Sequence, residues 1–181
     1  VSSSANAELT GIWNRTRSKA EEKAKLFGTK VFDSAEELIE AVDVVYILTN
    51  METHHAYALQ AIEAGKHVLV EKPTAVTIAE IEEIKEAADR KGVQVAPVHN
   101  YIHEPSVMRA KDLIESGKLG KIVSIYVLYN IHHPEEVAAR YPGVIRQILT
   151  HHAYCTLYLA GAPQMASCMK ATINDGSVPQ E

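Results

Sequence analysis

Residues 65–73 carry the clearest structural signal in this chain and read Gly65-Lys66-His67-Val68-Leu69-Val70-Glu71-Lys72-Pro73. An apolar run with β-branched residues, bounded by a glycine and a proline, predicts a buried strand at residues 68–70. Ligands of an open α/β sheet bind just beyond the carboxyl ends of its strands, where Glu71 and Lys72 fall. A lysine there can donate a proton or polarise a carbonyl group if its surroundings tune its pKa. The alternative is a surface pair of charges that closes a strand.

Short strands and helices alternate on both sides of this stretch. The predicted strands cover residues 9–13, 30–32, 44–48, 68–70 and 93–98. The predicted helices cover residues 18–28, 34–42, 54–64 and 77–91. Since consecutive elements alternate in type, the pattern predicts an α/β fold with a doubly wound parallel sheet. The run at residues 44–48 is continuously apolar, which is typical of a parallel strand covered on both faces.

The helix boundaries have recognisable sequence signals. Three helix starts have the spacing of a capping box, namely Ser18 with Glu21, Ser34 with Glu37, and Thr77 with Glu80. Gly28, Gly65 and Gly92 follow predicted helices and are expected to end them. In the helix over residues 77–91, the spacing predicts one buried face, formed by Ile78, Ile81, Ile84 and Ala88.

The pattern changes after residue 100. A helix is predicted over residues 105–116, with Val107, Ala110, Leu113 and Ile114 facing inward. Residues 122–129 form the longest strand-like run, and a long apolar helix follows at residues 144–159, ending at Gly161. Residues 164–173 are expected to begin another strand. We predict a domain boundary near residues 119–121.

Composition excludes several classes of protein. The 181 residues are 46% hydrophobic and 23% charged, as in an ordinary globular protein. A net charge of -5 argues against a nucleic-acid or anionic-membrane partner. No apolar run is long enough to span a bilayer. Cys155 and Cys168 give no disulfide framework and suit a reducing compartment, so we expect a cytoplasmic protein.

Nine histidines raise the question of a metal site. None of their spacings matches a known zinc motif, and adjacent histidines on a helix point in different directions. We therefore predict no metal site. The histidines considered were His99, His103, His132, His133, His151 and His152.

The end of the first predicted strand suggests a dinucleotide cofactor. In dinucleotide-binding folds an acidic residue at the end of the second strand holds the ribose, about 20 residues after a glycine-rich loop. Asn14 takes that strand-end position, so the glycine loop would lie upstream of Val1. Asparagine does not repel a 2′-phosphate, and Arg15 or Arg17 could pair with one, which favours NADP over NAD. The alternative is a polar turn that caps the next helix.

Several segments together resemble the glucose–fructose oxidoreductase / inositol dehydrogenase (Gfo/Idh/MocA) family. They are Thr49-Asn50-Met51-Glu52-Thr53-His54, Ala61-Ile62-Glu63-Ala64-Gly65-Lys66-His67-Val68, Glu71-Lys72-Pro73, Asn100-Tyr101, and Leu113-Ile114-Glu115-Ser116-Gly117-Lys118-Leu119-Gly120. The resemblance implies a Rossmann domain at residues 1–120, lacking its first strand and glycine loop. It implies that residues 121–181 begin an α+β domain with an open sheet, which contributes to substrate binding and oligomerisation. Full-length members are longer, so the chain is expected to be incomplete at both ends.

The resemblance also implies roles for individual residues. Lys72 would be catalytic, beside the nicotinamide and the substrate, and Glu71 would contact the nicotinamide ribose. Cofactor contacts are further implied for Asn14, Arg15, Thr49, Asn50, His54 and Asn100. His151 would be the catalytic histidine, and Gln147 would face the substrate. The alternative for His151 is a helix residue that packs in the core or at its rim.

The chain departs from the family pattern at four positions. Gln147 and Leu149 replace the aspartate and the glycine before the catalytic histidine, and Tyr154 replaces a later aspartate. Ile102 replaces an arginine after Asn-Tyr. Glutamine can donate and accept hydrogen bonds but does not titrate. These departures therefore affect which side chains could pass on the substrate's proton.

The implied activity is NAD(P)-dependent hydride transfer to or from a sugar, polyol or related substrate, within a homo-oligomer. His151 has a suitable titration range for the hydroxyl proton, and Lys72 could stabilise the alkoxide or share that proton. The alternative is a non-catalytic family member that senses a cofactor or sugar. Without a glycine loop, residues 1–181 alone are expected to bind dinucleotide weakly or not at all.

Overall fold

The computed structural model describes residues 4–129, 134, 136, 148–167 and 169. The chain divides into two compact units, Val1–Pro97 and Val98–Glu181. The domain boundary predicted near residues 119–121 stays a prediction.

The first unit is an α/β structure whose strands pair in parallel, as predicted. Its strands are β1 (Gly11–Ile12), β2 (Lys30–Val31), β3 (Val44–Ile47), β4 (His67–Val70) and β5 (Val95–Pro97). Its helices are α1 (Arg17–Phe27), α2 (Ala35–Glu40), α3 (His54–Glu63) and α4 (Ile78–Lys91). One sheet contains β1 and β2, and a three-stranded sheet has the order β3-β4-β5.

The core of this unit lies between the three-stranded sheet and helices α2, α3 and α4. Side chains from alternate strand positions and from one face of each helix form it, including Ile39, Val45, Ile47, Ala58, Ile62, Val68, Val70 and Ile84. Full burial of an aliphatic side chain of this size contributes about 1.5–3 kcal/mol relative to its exposure to water. This packing holds the carboxyl ends of β3 and β4 in place.

Several predicted helix boundaries are confirmed. Thr77 and Glu80 make both hydrogen bonds of a capping box at the start of α4. The side chain of Ser34 accepts a hydrogen bond from the backbone N–H of Glu37 at 3.1 Å. Gly92 ends α4 with a positive φ of 67°, which glycine adopts without the steric cost of a Cβ atom.

The capping box predicted at Ser18 and Glu21 is wrong. Helix α1 begins at Arg17, so Ser18 is already helical and Thr16 is the N-cap residue. The side chain of Asn14 accepts a hydrogen bond from the backbone N–H of Thr16 at 2.8 Å. The N-cap residue is therefore Thr16, two positions before the predicted N-cap Ser18, because the side chain of Asn14 satisfies a backbone N–H group at this turn.

Two burial predictions are also wrong. Strand β3 is covered on one face only, since Val44 and Tyr46 are exposed while Val45 and Ile47 are buried. Helices α2, α3 and α4 all contribute to the core against that one face. In α4, Ile78 is 75% exposed and Ile81 is 43% exposed. The buried face of α4 lies further along the helix, at Ile84, Ala87 and Ala88, where it packs against α3.

The second unit contains α5 (Pro105–Glu115) and α6 (Thr150–Ala160), which pack together. Helix α6 ends before Gly161 as predicted, whereas residues 144–147 of the predicted helix lie outside the described residues. The four inward residues predicted in α5 are only partly buried.

The two strands predicted in the second unit are not formed by its described residues. Residues 122–129 pair with no other described segment, and Val123 is 94% exposed. A strand needs a partner for its backbone groups, and apolar alternation alone does not supply one. Residues 164–167 and 169 form no strand either, and the rest of that predicted strand lies outside the described residues.

Candidate active site and cofactor-binding residues

The carboxyl ends of β3 and β4 lie side by side, with Ile47 paired to Val70. Glu71 follows β4 directly, and its backbone N–H donates to the carbonyl oxygen of Ile47 at 3.0 Å. Its carboxylate accepts a hydrogen bond from the hydroxyl of Tyr46 at 3.0 Å. Partial burial of its hydroxyl group, followed by the hydrogen bond and the negative charge of Glu71, raises the pKa of Tyr46 to about 12, although the side chain as a whole is 40% exposed. The tyrosine is therefore protonated at neutral pH and orients the carboxylate of Glu71.

Lys72 is the next residue along the chain and is half-buried. The peptide bond between Lys72 and Pro73 is cis. Burial lowers the pKa of Lys72, and the negative charge of Glu71 opposes this change. A lysine whose pKa is lowered by burial exchanges a proton more readily near neutral pH than an exposed lysine does. The environment of Lys72 therefore suits acid–base chemistry.

His54 joins the loop after β3 to the loop after β4. It is the first residue of α3, and its side chain is only 2% exposed. Its Nδ1 atom lies 2.8 Å from the carbonyl oxygen of Pro73, and its Nε2 atom lies 3.0 Å from the carbonyl oxygen of Thr49. The ring thus lies between the segments that contain the predicted cofactor residues Asn50 and Glu71. Its predicted contact with the cofactor itself stays a prediction.

A short 3-10 helix, Met51–Thr53, follows the loop after β3. The hydroxyl of Thr53 lies 2.8 Å from that of Thr49 and donates to the carbonyl oxygen of Asn50 at 2.7 Å. These bonds hold Thr49 and Asn50 at the carboxyl end of β3. Both side chains are exposed and accessible to a ligand.

Asn14 and Arg15 follow β1, and both are exposed. Trp13 packs edge-on against Tyr57 of α3, with ring centroids 5.7 Å apart, which connects this segment to the helix that begins at His54. Within the described part of the chain, Arg15 makes no ion pair.

Arg17 is engaged within the protein. It pairs with Asp33 and, at 2.9 Å, with Glu21. Hydrogen bonds to these carboxylates, first to Asp33 and then to Glu21, raise the pKa of Arg17. Of the two arginines considered for a 2′-phosphate, Arg15 is therefore the one whose charge is not already matched by a carboxylate.

In the second unit, the hydroxyl of Tyr154 connects two predicted site residues. It lies 2.7 Å from Nδ1 of His151 and 3.3 Å from Oδ1 of Asn100. It also accepts a hydrogen bond from the backbone N–H of Tyr101 at 3.1 Å. His151 and Tyr154 are 8% and 9% exposed. The sequence-predicted residues Asn100 and His151 thus meet at one hydroxyl group.

Aromatic rings pack around this hydroxyl. The ring of Tyr101 stacks on His151 with centroids 4.3 Å apart, and the ring of His99 lies 4.1 Å from that of Tyr154. Burial lowers the pKa of His99, whose buried Nδ1 atom has no hydrogen-bond partner among the described residues. Both features favour the neutral form of His99.

Other predicted residues fall outside the described structure. Gln147, His132 and His133 are among them. Among the residues that are described, no group of three or more His, Cys, Asp and Glu side chains could hold a metal ion. Nor does the described part of the chain contain a helix long and apolar enough to cross a membrane.

Sequence reasoning missed two tyrosines that hold site residues. Tyr46 positions Glu71, and its only signal was a hydroxyl in an otherwise aliphatic strand. Tyr154 was noted only as a departure from the family pattern, although a residue three positions after His151 lies on the same helix face.

Comparison with known proteins identifies the family of this chain. Residues 1–99 match the sequence profile of the GFO_IDH_MocA family, described as an oxidoreductase family with an NAD-binding Rossmann fold. The chain belongs to the Gfo/Idh/MocA family. The predicted fold class and family are both confirmed by this match.

Two relatives are named as dehydrogenases of a sugar phosphate and of an inositol. Glucose-6-phosphate 3-dehydrogenase of Bacillus subtilis is 37% identical over 127 residues, covering 70% of this chain and 36% of that protein. The scyllo-inositol 2-dehydrogenase (NADP(+)) of Bacillus subtilis is 35% identical over 131 residues, covering 68% of this chain and 36% of that protein.

A solved structure of levoglucosan dehydrogenase with NADH and levoglucosan has a TM-score of 0.75 and 30% identity. The match covers 84% of this chain and 44% of that one. The chain therefore spans less than half the length of these three Gfo/Idh/MocA proteins.

Proposed function

We propose that this Gfo/Idh/MocA protein transfers hydride between a nicotinamide dinucleotide and a hydroxyl or carbonyl carbon of a sugar, polyol or related substrate. The observation that carries the proposal is the half-buried Lys72, whose pKa is lowered, at the carboxyl end of a parallel strand. Ligands of this fold bind at that edge of the sheet. The substrates in the relatives' names, a sugar phosphate, an inositol and an anhydrosugar, support the same substrate class.

The cofactor, when bound, supplies the carbon that accepts or gives hydride. In the oxidative direction the substrate loses hydride from its C–H bond and a proton from its hydroxyl group, and a carbonyl group forms. We assign His151 as the base that takes this proton, because histidine titrates near neutral pH. Lys72 stabilises the negative charge that develops on the oxygen. Gln147 is assigned a hydrogen bond to the substrate.

The polar groups of the first unit fit a dinucleotide. The carboxylate of Glu71, oriented by Tyr46, can accept hydrogen bonds from a ribose. Thr49 and Asn50 offer exposed polar groups beside it. Arg15 favours NADP over NAD, because a guanidinium group binds a 2′-phosphate in charge-assisted hydrogen bonds.

Titration of the intact protein with NADPH and NADH, followed by nicotinamide fluorescence, tests the cofactor assignment. We expect both to bind, with NADPH binding more tightly. Arg15→Ala should weaken NADPH binding roughly tenfold and change NADH binding little, since it removes a bond to a charged group. Lys19→Ala, which removes a nearby exposed cation, is the matched control. Failure of the intact protein to bind either dinucleotide would end the proposal.

Turnover on a panel of sugars, sugar phosphates and polyols tests the reaction. Lys72→Ala should lower turnover by roughly 10²- to 10⁴-fold and leave NADPH binding almost unchanged. Lys85→Ala removes an exposed lysine of α4 and should have no effect. Unchanged turnover in Lys72→Ala would show that Lys72 does not act in the reaction.

A non-catalytic cofactor- or sugar-sensing function is the competing hypothesis. The dehydrogenase names of these two relatives do not favour it. Tight cofactor binding without turnover of any substrate in the panel would contradict the oxidoreductase proposal and support this alternative.

A further inference from the structure

Among the described residues of the second unit, three polar groups contact one hydroxyl group. The partners of the Tyr154 hydroxyl are the backbone N–H of Tyr101, Oδ1 of Asn100 and Nδ1 of His151, at 3.1, 3.3 and 2.7 Å. These contacts are largely shielded from water, because Tyr154 and His151 are both buried. Each contact is a hydrogen bond only if donors and acceptors are matched.

The hydroxyl has a single proton to donate, and this limits how the contacts are made. The backbone N–H of Tyr101 can only donate, so the hydroxyl oxygen accepts there. Oδ1 of Asn100 can only accept, so the hydroxyl proton is directed towards it. The remaining contact, to His151, then requires that Nδ1 carries a proton and donates it to the tyrosine oxygen.

We propose that Tyr154 is a positioning residue that fixes His151 in the tautomer with its proton on Nδ1, so that Nε2 has the lone pair that takes the substrate's proton. The inference rests on the proposed function for the task of His151, but the tautomer itself follows from the contacts of Tyr154. The stacked ring of Tyr101, 4.3 Å away, holds the imidazole plane.

Nitrogen-15 NMR of the intact protein with labelled histidine tests the tautomer directly. The signals of His151 are assigned by their loss in His151→Gln, and spectra are recorded at a pH where the ring is neutral. We expect Nδ1 to have the chemical shift of a protonated nitrogen and Nε2 that of an unprotonated one. A proton found mainly on Nε2 in the wild-type protein would overturn the inference.

Substitutions of Asn100 test the proton count without changing Tyr154. Asn100→Ala removes the acceptor, so the hydroxyl proton can turn towards His151. The population with Nδ1 protonated should then fall roughly fivefold, as expected from the energy of one hydrogen bond. Asn100→Asp keeps an acceptor of the same shape and should keep the wild-type tautomer. An unchanged tautomer in Asn100→Ala, or a reversed one in Asn100→Asp, would overturn the inference.

Kinetics provide the second measurement. Tyr154→Phe should lower kcat roughly 10- to 100-fold and change KM less than about threefold, because the lost hydroxyl is assigned to His151 and not to the substrate. Tyr126→Phe makes the same chemical change at an exposed tyrosine and should leave both constants unchanged. Equal kcat values for the two variants would overturn the inference while leaving the Lys72 and cofactor tests intact.

Discussion

The residues at the carboxyl ends of β3 and β4 are held differently from those around the hydroxyl of Tyr154. In the first group, contacts with the backbone dominate: the N–H of Glu71 donates to Ile47, and both ring nitrogens of His54 face carbonyl oxygens. In the second group, one side-chain hydroxyl contacts an amide, an imidazole and a backbone N–H. Residues 101 and 154, which this hydroxyl connects, are 53 positions apart.

This difference determines how each group responds to mutation. The strand-end residues belong to a sheet and a hydrophobic core, so their positions depend on the whole first unit. The group in the second unit depends on one polar atom that no hydrophobic side chain can replace. Each group can therefore be perturbed by a different kind of substitution.

The largest effect is expected from removal of the imidazole of His54. His54→Ala leaves the carbonyl oxygens of Pro73 and Thr49 without their contacts and creates a cavity at a buried side chain, which should lower the free energy of unfolding of the first unit by about 2–4 kcal/mol. His55→Ala is the matched control, because it breaks a pair with the exposed Glu83 and should cost less than about 1 kcal/mol. Chemical denaturation measures the free energy of unfolding of both variants. Equal decreases in the two variants would contradict the role of His54.

A smaller and local effect is expected in the second unit. Tyr154→Phe removes the acceptor of the Tyr101 N–H, so hydrogen exchange at that amide should become roughly 5- to 30-fold faster, equivalent to about 1–2 kcal/mol. Exchange at the backbone amide of Glu71, in the other unit, should not change. Equal protection of the Tyr101 amide in both proteins would contradict the contact.

A third substitution tests the electrostatic interaction between Glu71 and Lys72. The charge of Glu71 raises the pKa of Lys72 against the larger effect of burial, so Glu71→Gln should lower the pKa of Lys72 further. The carbon-13 chemical shift of the Lys72 side chain, followed over pH, measures this change. Tyr46→Phe keeps the carboxylate charge and should move the pKa less. A pKa that rises in Glu71→Gln would contradict the assigned interaction.

The smallest effect concerns the start of α4. Hydrogen bonds from the backbone N–H groups of Thr77 and Val76 hold the pKa of Glu80 below its ordinary value of 4.5. Because the folded-state pKa is the lower one, this stabilisation is complete above the ordinary pKa and is lost as the pH falls through the folded value. The stability difference between wild type and Glu80→Gln should therefore be widest at neutral pH and should narrow below pH 4.5. A stability difference between the two proteins that stays constant from pH 3 to pH 7 would contradict this role of Glu80.

Predictions from sequence succeeded where the signal was local. The Thr77–Glu80 capping box, the glycine after α4 and the strand before Glu71 depend on neighbouring residues, and all three are confirmed. The capping box at Ser18 failed because Asn14 offered the backbone a competing bond. Ile78 and Ile81 fit a helical stripe, yet they are exposed, because periodicity does not tell where along a helix the neighbouring elements pack.

The amino-acid sequence determined the α/β alternation, the Gfo/Idh/MocA family and the placement of Glu71 and Lys72 at a strand end. These properties arise from hydrophobic period, capping and turn residues, which act over a few positions. Only the tertiary structure brought the Tyr46 hydroxyl within hydrogen-bond distance of Glu71. It likewise placed the Tyr154 hydroxyl between Asn100 and His151. A hydrogen bond between distant residues depends on distances of a few tenths of an ångström, and only the packing of the whole unit sets those distances.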